Sequence, residues 1–135
     1  MVYSLFAAII TFAYFYWSEK TVFLTSSVVP AARGNVKVKK DNNKNYLIQV
    51  DIANLTEVDR LQPPRNTYVV WMVTDKNLTK NIGQIDSSTG VLSNKLKASF
   101  QTASLLKPVK IYITAEDDAN VQYSSNEVVL ETNNF

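Results

Sequence analysis

The sequence predicts an all-β protein, a seven-stranded antiparallel β-sandwich of immunoglobulin-like type, preceded by an N-terminal hydrophobic helix. Three observations predict it. From Gly34 onward apolar and polar residues alternate, the period-two pattern of strands with one buried face. Turn-forming Asn, Asp, Ser and Gly recur about every eight to twelve residues, the spacing of short strands in a sandwich or barrel. Tyr68-Val69-Val70-Trp71-Met72-Val73 is apolar on both faces, as a central strand covered on both sides must be.

Residues 2–17 carry no charge and hold seven of the fifteen aromatic residues, while every Lys, Arg, Asp and Glu lies at or beyond Glu19. A spanning helix wants about 20 apolar residues and a signal-peptide core about 7–15; this segment falls between. Tyr14-Phe15-Tyr16-Trp17 has the character of an interfacial aromatic belt. Residues 1–17 are therefore read as a signal peptide or membrane anchor, against the alternative of a core helix in a soluble domain, and no Lys or Arg precedes the apolar run. Small residues in Val29-Pro30-Ala31-Ala32 suit a cleavage site. Residues 18–33, rich in Ser, Thr, Val, Pro and Ala without periodicity, read as an extended tether, and 34–135 as the sandwich domain.

Within that domain Val36 and Val38 open the first strand, and Asp41-Asn42-Asn43-Lys44-Asn45 supplies a turn, since Asn and Asp tolerate left-handed backbone and bond nearby amides. Tyr46, Ile48, Val50 and Ile52 then face one way and Gln49 and Asp51 the other, completing a hairpin. A polar connection over 56–66 contains Pro63-Pro64, which stiffens the approach to the 67–74 strand. Tyr68 and Trp71 lie three apart and so point to opposite faces of that strand, with Trp71 expected as the largest side chain in the core between the sheets. Asp75-Lys76-Asn77 makes a turn, 82–85 a short strand, and Ser87-Ser88-Thr89-Gly90 another turn. Strands over 91–100, 109–115 and 127–131 close the count.

Composition removes whole classes of chemistry. The chain has neither cysteine nor histidine, so disulfides, thiolate zinc, thiol nucleophiles, the commonest general base and the commonest imidazole ligand are absent. A net charge of +2, with fourteen Lys and Arg spread from Lys20 to Lys110, gives no mandate for nucleic acid. The densest cations, Lys37, Lys39, Lys40 and Lys44, partly alternate with valine and read as the solvated face of an edge strand, with an anionic-partner patch as the alternative. Glu116-Asp117-Asp118 with Asn120 reads as a solvated hairpin turn, with calcium binding as its alternative. Asp41-x-Asn43-x-Asn45 lacks the glycine and glutamate of an EF-hand loop. Ser104-Leu105-Leu106-Lys107 has the Ser-x-x-Lys spacing without its companion motifs. Asn54-Leu55-Thr56 and Asn77-Leu78-Thr79 are glycosylation acceptors in form only, and a hydrolase built on carboxylates such as Asp51 and Asp86 is a third possibility, with nothing in the sequence to show that the two converge.

In order along the chain stand Ile52-Ala53-Asn54-Leu55, Leu61-Gln62-Pro63-Pro64, the Tyr68–Val73 strand, Ile82-Gly83, Ile111-Tyr112-Ile113-Thr114-Ala115-Glu116 and Val128-Val129-Leu130. This series resembles the C-terminal, extracytoplasmic domain of the anti-sigma-K factor (RskA-type) family, over about residues 34–132, and also uncharacterised exported bacterial proteins that carry this domain alone. The resemblance singles out Tyr68, Trp71, Gly83, Thr114 and Glu116 as motif residues. It implies a sandwich outside the cytoplasmic membrane, periplasmic or in the cell envelope, anchored or secreted. Two departures stand beside it: Asp117-Asp118-Ala119-Asn120 replaces the family's Pro and Gly after Glu116, and no sigma-binding module precedes the apolar segment. The resemblance therefore does not imply anti-sigma activity.

The function expected is non-enzymatic and cofactor-free: a binding or sensing domain that meets a protein or envelope component through loops at one end of the sandwich, and the membrane through residues 1–17. The 56–66 loop, with Arg60 and Arg65, and the 116–125 hairpin, with Asp117, Asp118 and Asn120, are the candidate contact loops. The alternative is a structural envelope subunit that assembles by β-augmentation through an exposed edge strand over 36–40.

Overall fold

The computed structural model describes residues 20–85, 97–124 and 126–135. Eight strands build it: β1 (Lys20–Val22), β2 (Arg33–Lys40), β3 (Tyr46–Ala53), β4 (Thr67–Thr74), β5 (Thr79–Ile85), β6 (Lys97–Ser104), β7 (Pro108–Glu116) and β8 (Val128–Glu131), with one 3-10 turn at Val58–Arg60. They form two four-stranded antiparallel sheets packed as a sandwich, in the orders β1-β2-β3-β6 and β5-β4-β7-β8. Among the described residues no helix is long and apolar enough to cross a membrane. The hydrophobic segment 1–17, Asp86, the turn expected at 87–90, the first part of the strand expected over 91–100, and Ser125 lie outside the described residues.

Local chemistry makes the hairpins as expected. Asp41 Oδ1 accepts from the amides of Asn43 at 2.8 Å and Asn45 at 2.9 Å, and Lys44 takes the left-handed conformation at φ 66°. Thr74 Oγ1 likewise accepts from the amides of Lys76 and Leu78, with Asn77 left-handed at φ 61°. The first turn consumes the Asp41 side chain that marks it in sequence, and the second uses Thr74, the last residue of β4.

The inward faces follow the alternation. Val36, Ile48, Val50, Ile52 and Ala98 of the first sheet meet Tyr68, Val70, Met72, Ile85, Ile111, Ile113 and Leu130 of the second, and Leu55 and Leu61 belong to the same buried cluster. Burial at this scale supplies the driving force, at roughly 25 cal/mol per Å² of apolar surface.

The structure differs from expectation in four places. The stretch read as a tether supplies an eighth strand: β1 pairs with β2, and Phe23, Val29 and Ala32 are buried in the core. Leu24 N then donates to Glu131 O, and Phe23 bridges Thr132, so the chain passes from one sheet to the other. A three-residue strand is too short to display a period, which is why the pattern missed it. Second, β2 is therefore flanked on both sides by β1 and β3 and is not an edge. Third, β6 runs on to Ser104, because it pairs residue for residue with all of β3, from Lys97 opposite Ala53 to Ser104 opposite Tyr46.

The fourth concerns Trp71. Tyr68, Val70 and Met72 of β4 point into the sandwich, so Trp71 points out of it, directly opposite Tyr112 of β7. Its indole is nevertheless fully buried. The expectation of burial holds, and the expectation of a place between the sheets does not.

Candidate functional site

The outer face of the second sheet builds a buried polar chain from residues that alternate with core residues. Trp71 stacks on Tyr112, with ring centroids 6.1 Å apart and planes within 14°. Its Nε1 donates to Thr114 Oγ1 at 2.8 Å, and that hydroxyl donates to Glu116 Oε2 at 2.6 Å. Glu116 Oε1 accepts from Asn126 Nδ2 at 3.0 Å, so both oxygens of this buried carboxylate are engaged. A buried carboxylate persists only when hydrogen bonds replace its lost hydration.

From there the chain reaches the candidate loops. Arg65 donates through Nη2 to Asn126 Oδ1 at 3.0 Å and through Nη1 to Asp117 Oδ2 at 3.1 Å. Asn66 N donates to Glu116 O, and Asn66 Nδ2 to Asp117 O. The 56–66 and 116–125 loops, chosen in sequence for length and polarity, therefore meet at one end of the sandwich. Arg65 and Asp117 are tied to each other, whereas Arg60 is exposed, held only by Glu57 at 3.2 Å. Asp118 is exposed and accepts from the amide of Asn120 at 2.9 Å.

Of the remaining motif residues, Tyr68 anchors the 56–66 loop from inside, its hydroxyl donating to Thr56 O at 2.6 Å. Burial pushes its phenol well above the ordinary value of 10.0. Gly83 faces the sandwich interior opposite Val70, with φ 144°, and a Cβ there would stand 2.6 Å from the Phe100 ring. Its lack of a side chain lets the β6 aromatic ring close over β5.

Asn81 belongs to the candidate site and was not singled out by the sequence pattern. Its Nδ2 donates to the carbonyls of Ala119 at 2.8 Å and Val121 at 2.9 Å, strapping the second loop onto β5, while its Oδ1 accepts from Gly83 N. Only its place two residues before a glycine marks it, and a side chain that bonds a loop about forty residues away leaves no periodic signal. Between β5 and this strapped loop opens a cleft of about 730 Å³, lined by Thr79, Lys80, Asn81 and Gln84 on one side and Asn120, Val121, Gln122 and Tyr123 on the other. Tyr123 is 86% exposed.

The acidic cluster does not converge on one point. Glu116 turns onto the sheet, Asp117 toward Arg65 and Asp118 toward the Asn120 amide, and among the described residues no group of three or more His, Cys, Asp or Glu is placed to hold a metal ion. Ser104 Oγ is engaged in its own turn, accepting from Leu106 N and donating to Leu106 O, both at 3.0 Å. Asp51 accepts from Gln49 Nε2 and Ser99 Oγ on the outer face of the first sheet.

Compared with known proteins, the chain matches no family model, no curated protein and no solved structure.

Proposed function

We propose that this chain is a non-enzymatic binding domain, an immunoglobulin-like sandwich exported from the cytoplasm or held at the membrane through residues 1–17, and akin to the anti-sigma factor ectodomain it resembles. The observation that carries the reading is the cleft between β5 and the 119–123 segment, where an exposed tyrosine stands beside amide side chains on a loop that Asn81 straps to β5. An aromatic ring with a polar tip presents large contact area at low conformational cost. The occupant is a protein or envelope component. A photo-crosslinking residue at position 123 of the full chain, expressed in bacterial cells, gives a discrete adduct in the envelope fraction; the same residue at position 105 gives none. Equal adduct patterns from both positions, or a chain found wholly in the cytoplasm at full mass, would count against the reading.

A structural subunit that adds a strand to its neighbour is the second reading. It rests on β6, whose eight residues pair with β3 alone among the described residues, and no longer on the 36–40 strand, which has a neighbour on each side. Size-exclusion with light scattering separates the two: a monomer at all concentrations removes assembly.

A further inference from the structure

The outer face of the first sheet gathers cations that are far apart in sequence. Cross-strand registers place Lys20, Arg33, Lys37, Lys39 and Lys97 on this face. Asp51 is the one carboxylate sharing it among the described residues. Lys20 stands directly opposite Lys37, an unfavourable like-charge pair, and neither forms a salt bridge among the described residues. Charge is uneven across the described chain: the first sheet with its β2–β3 turn holds seven cations and two carboxylates, and everything else, loops included, six cations and eight carboxylates. Val22, 61% exposed, and Leu47 sit among the cations on the same face.

We propose that this face lies against the anionic phospholipid headgroups of the membrane that residues 1–17 enter. The inference rests on the anchoring reading above. Trp17 precedes Lys20 by three residues, which extend to about 11 Å at most. That is close to one Debye length, about 10 Å at 0.1 M salt, within which an anionic surface still attracts basic residues. The uneven charge then sets orientation. The cationic sheet is drawn to the headgroups, and the second sheet, whose strands balance Lys80 and Lys110 against Glu116 and Glu131, is turned away, presenting the β5 cleft and Tyr123 to the envelope space.

The test uses the full chain with vesicles of phosphatidylcholine alone or of phosphatidylcholine mixed with phosphatidylglycerol, a membrane-impermeant amine-acylating reagent, and residue-resolved mass spectrometry. On the anionic vesicles, acylation of Lys20, Lys37 and Lys97 falls several-fold relative to the neutral ones and recovers at high salt, while Lys76, Lys80 and Lys107 react equally on both. The double variant Lys37→Glu, Lys97→Glu loses the protection of Lys20. Equal labelling on both vesicle types overturns the proposal. So does protection by soluble polyphosphate in the absence of protection by phosphatidylglycerol, which would make the face a polyanion site. Flotation separates the two readings: binding to anionic vesicles alone removes the anchor and keeps the basic face as the membrane contact, and binding to neither removes both.

Discussion

Trp71 Nε1 donates to Thr114 Oγ1 across 2.8 Å on the outer face of the second sheet, so the indole of β4 is buried outside the sandwich core. The hydroxyl sits between a donor and a carboxylate, and its removal leaves the indole N–H unpartnered in a fully buried place. Thr114→Val should cost about 1–3 kcal/mol, and Trp71→Ala about 3–5 kcal/mol through the cavity it leaves. In a Trp71→Phe background the Thr114→Val cost shrinks, because the donor is gone. Urea unfolding of the four proteins measures the coupling; identical Thr114→Val costs in both backgrounds would deny it.

Gly83 and Phe100 are matched in shape. Gly83→Ala meets both a backbone at φ 144° and the aromatic ring, and overpacking of this kind costs about 1–3 kcal/mol. Phe100→Leu in the same chain relieves the steric part and leaves the backbone part. Thermal melting of both singles and the double reads this as a double variant more stable than the sum of its parts predicts.

Asn126 and Asp117 both bond Arg65, with unequal consequences. Asp117 is largely exposed, so Asp117→Ala costs less than about 1 kcal/mol. Asn126→Ala removes a donor to the buried Glu116 and an acceptor for Arg65 together, at about 1–3 kcal/mol. Hydrogen exchange in the 117–124 segment accelerates for Asn126→Ala and stays near the parent for Asp117→Ala.

Tyr68 makes stability fall in alkali. Its folded phenol is held above the ordinary 10.0 by burial, while the unfolded chain ionises there. Above about pH 10 the unfolded state releases the proton and the folded state keeps it, so the stability present at lower pH is lost, by at most about 1.4 kcal/mol per pH unit. Tyr68→Phe loses the bond to Thr56 O at neutral pH, about 0.5–1.5 kcal/mol. It also removes this alkaline slope, so the gap between variant and parent narrows from pH 9 to pH 11 in denaturant titrations.

Residues 20–32 are part of the folded unit. A chain beginning at Arg33, as cleavage at Val29-Pro30-Ala31-Ala32 would make it, loses β1 and the buried Phe23 and Val29. Its melting temperature should fall well below that of a chain beginning at Ser18. Equal melting temperatures would return this stretch to the role of a tether.

The sequence by itself determined the strands of the hairpins, the Asp41 and Asp75–Asn77 turns and the burial of Tyr68 and Trp71, because alternation and turn chemistry act over neighbouring residues. It also led to two loops that do meet, through Arg65 and Asp117. Tertiary structure alone decided which side of β4 is the inner one, since alternation places Tyr68 and Trp71 on opposite faces without saying which face another sheet will cover. It alone made Lys20, Lys37 and Lys97 members of one surface, and tied Asn81 to the carbonyls of Ala119 and Val121. Pairing between distant strands creates those neighbours, and no local pattern records a pairing that only the closed sandwich brings about.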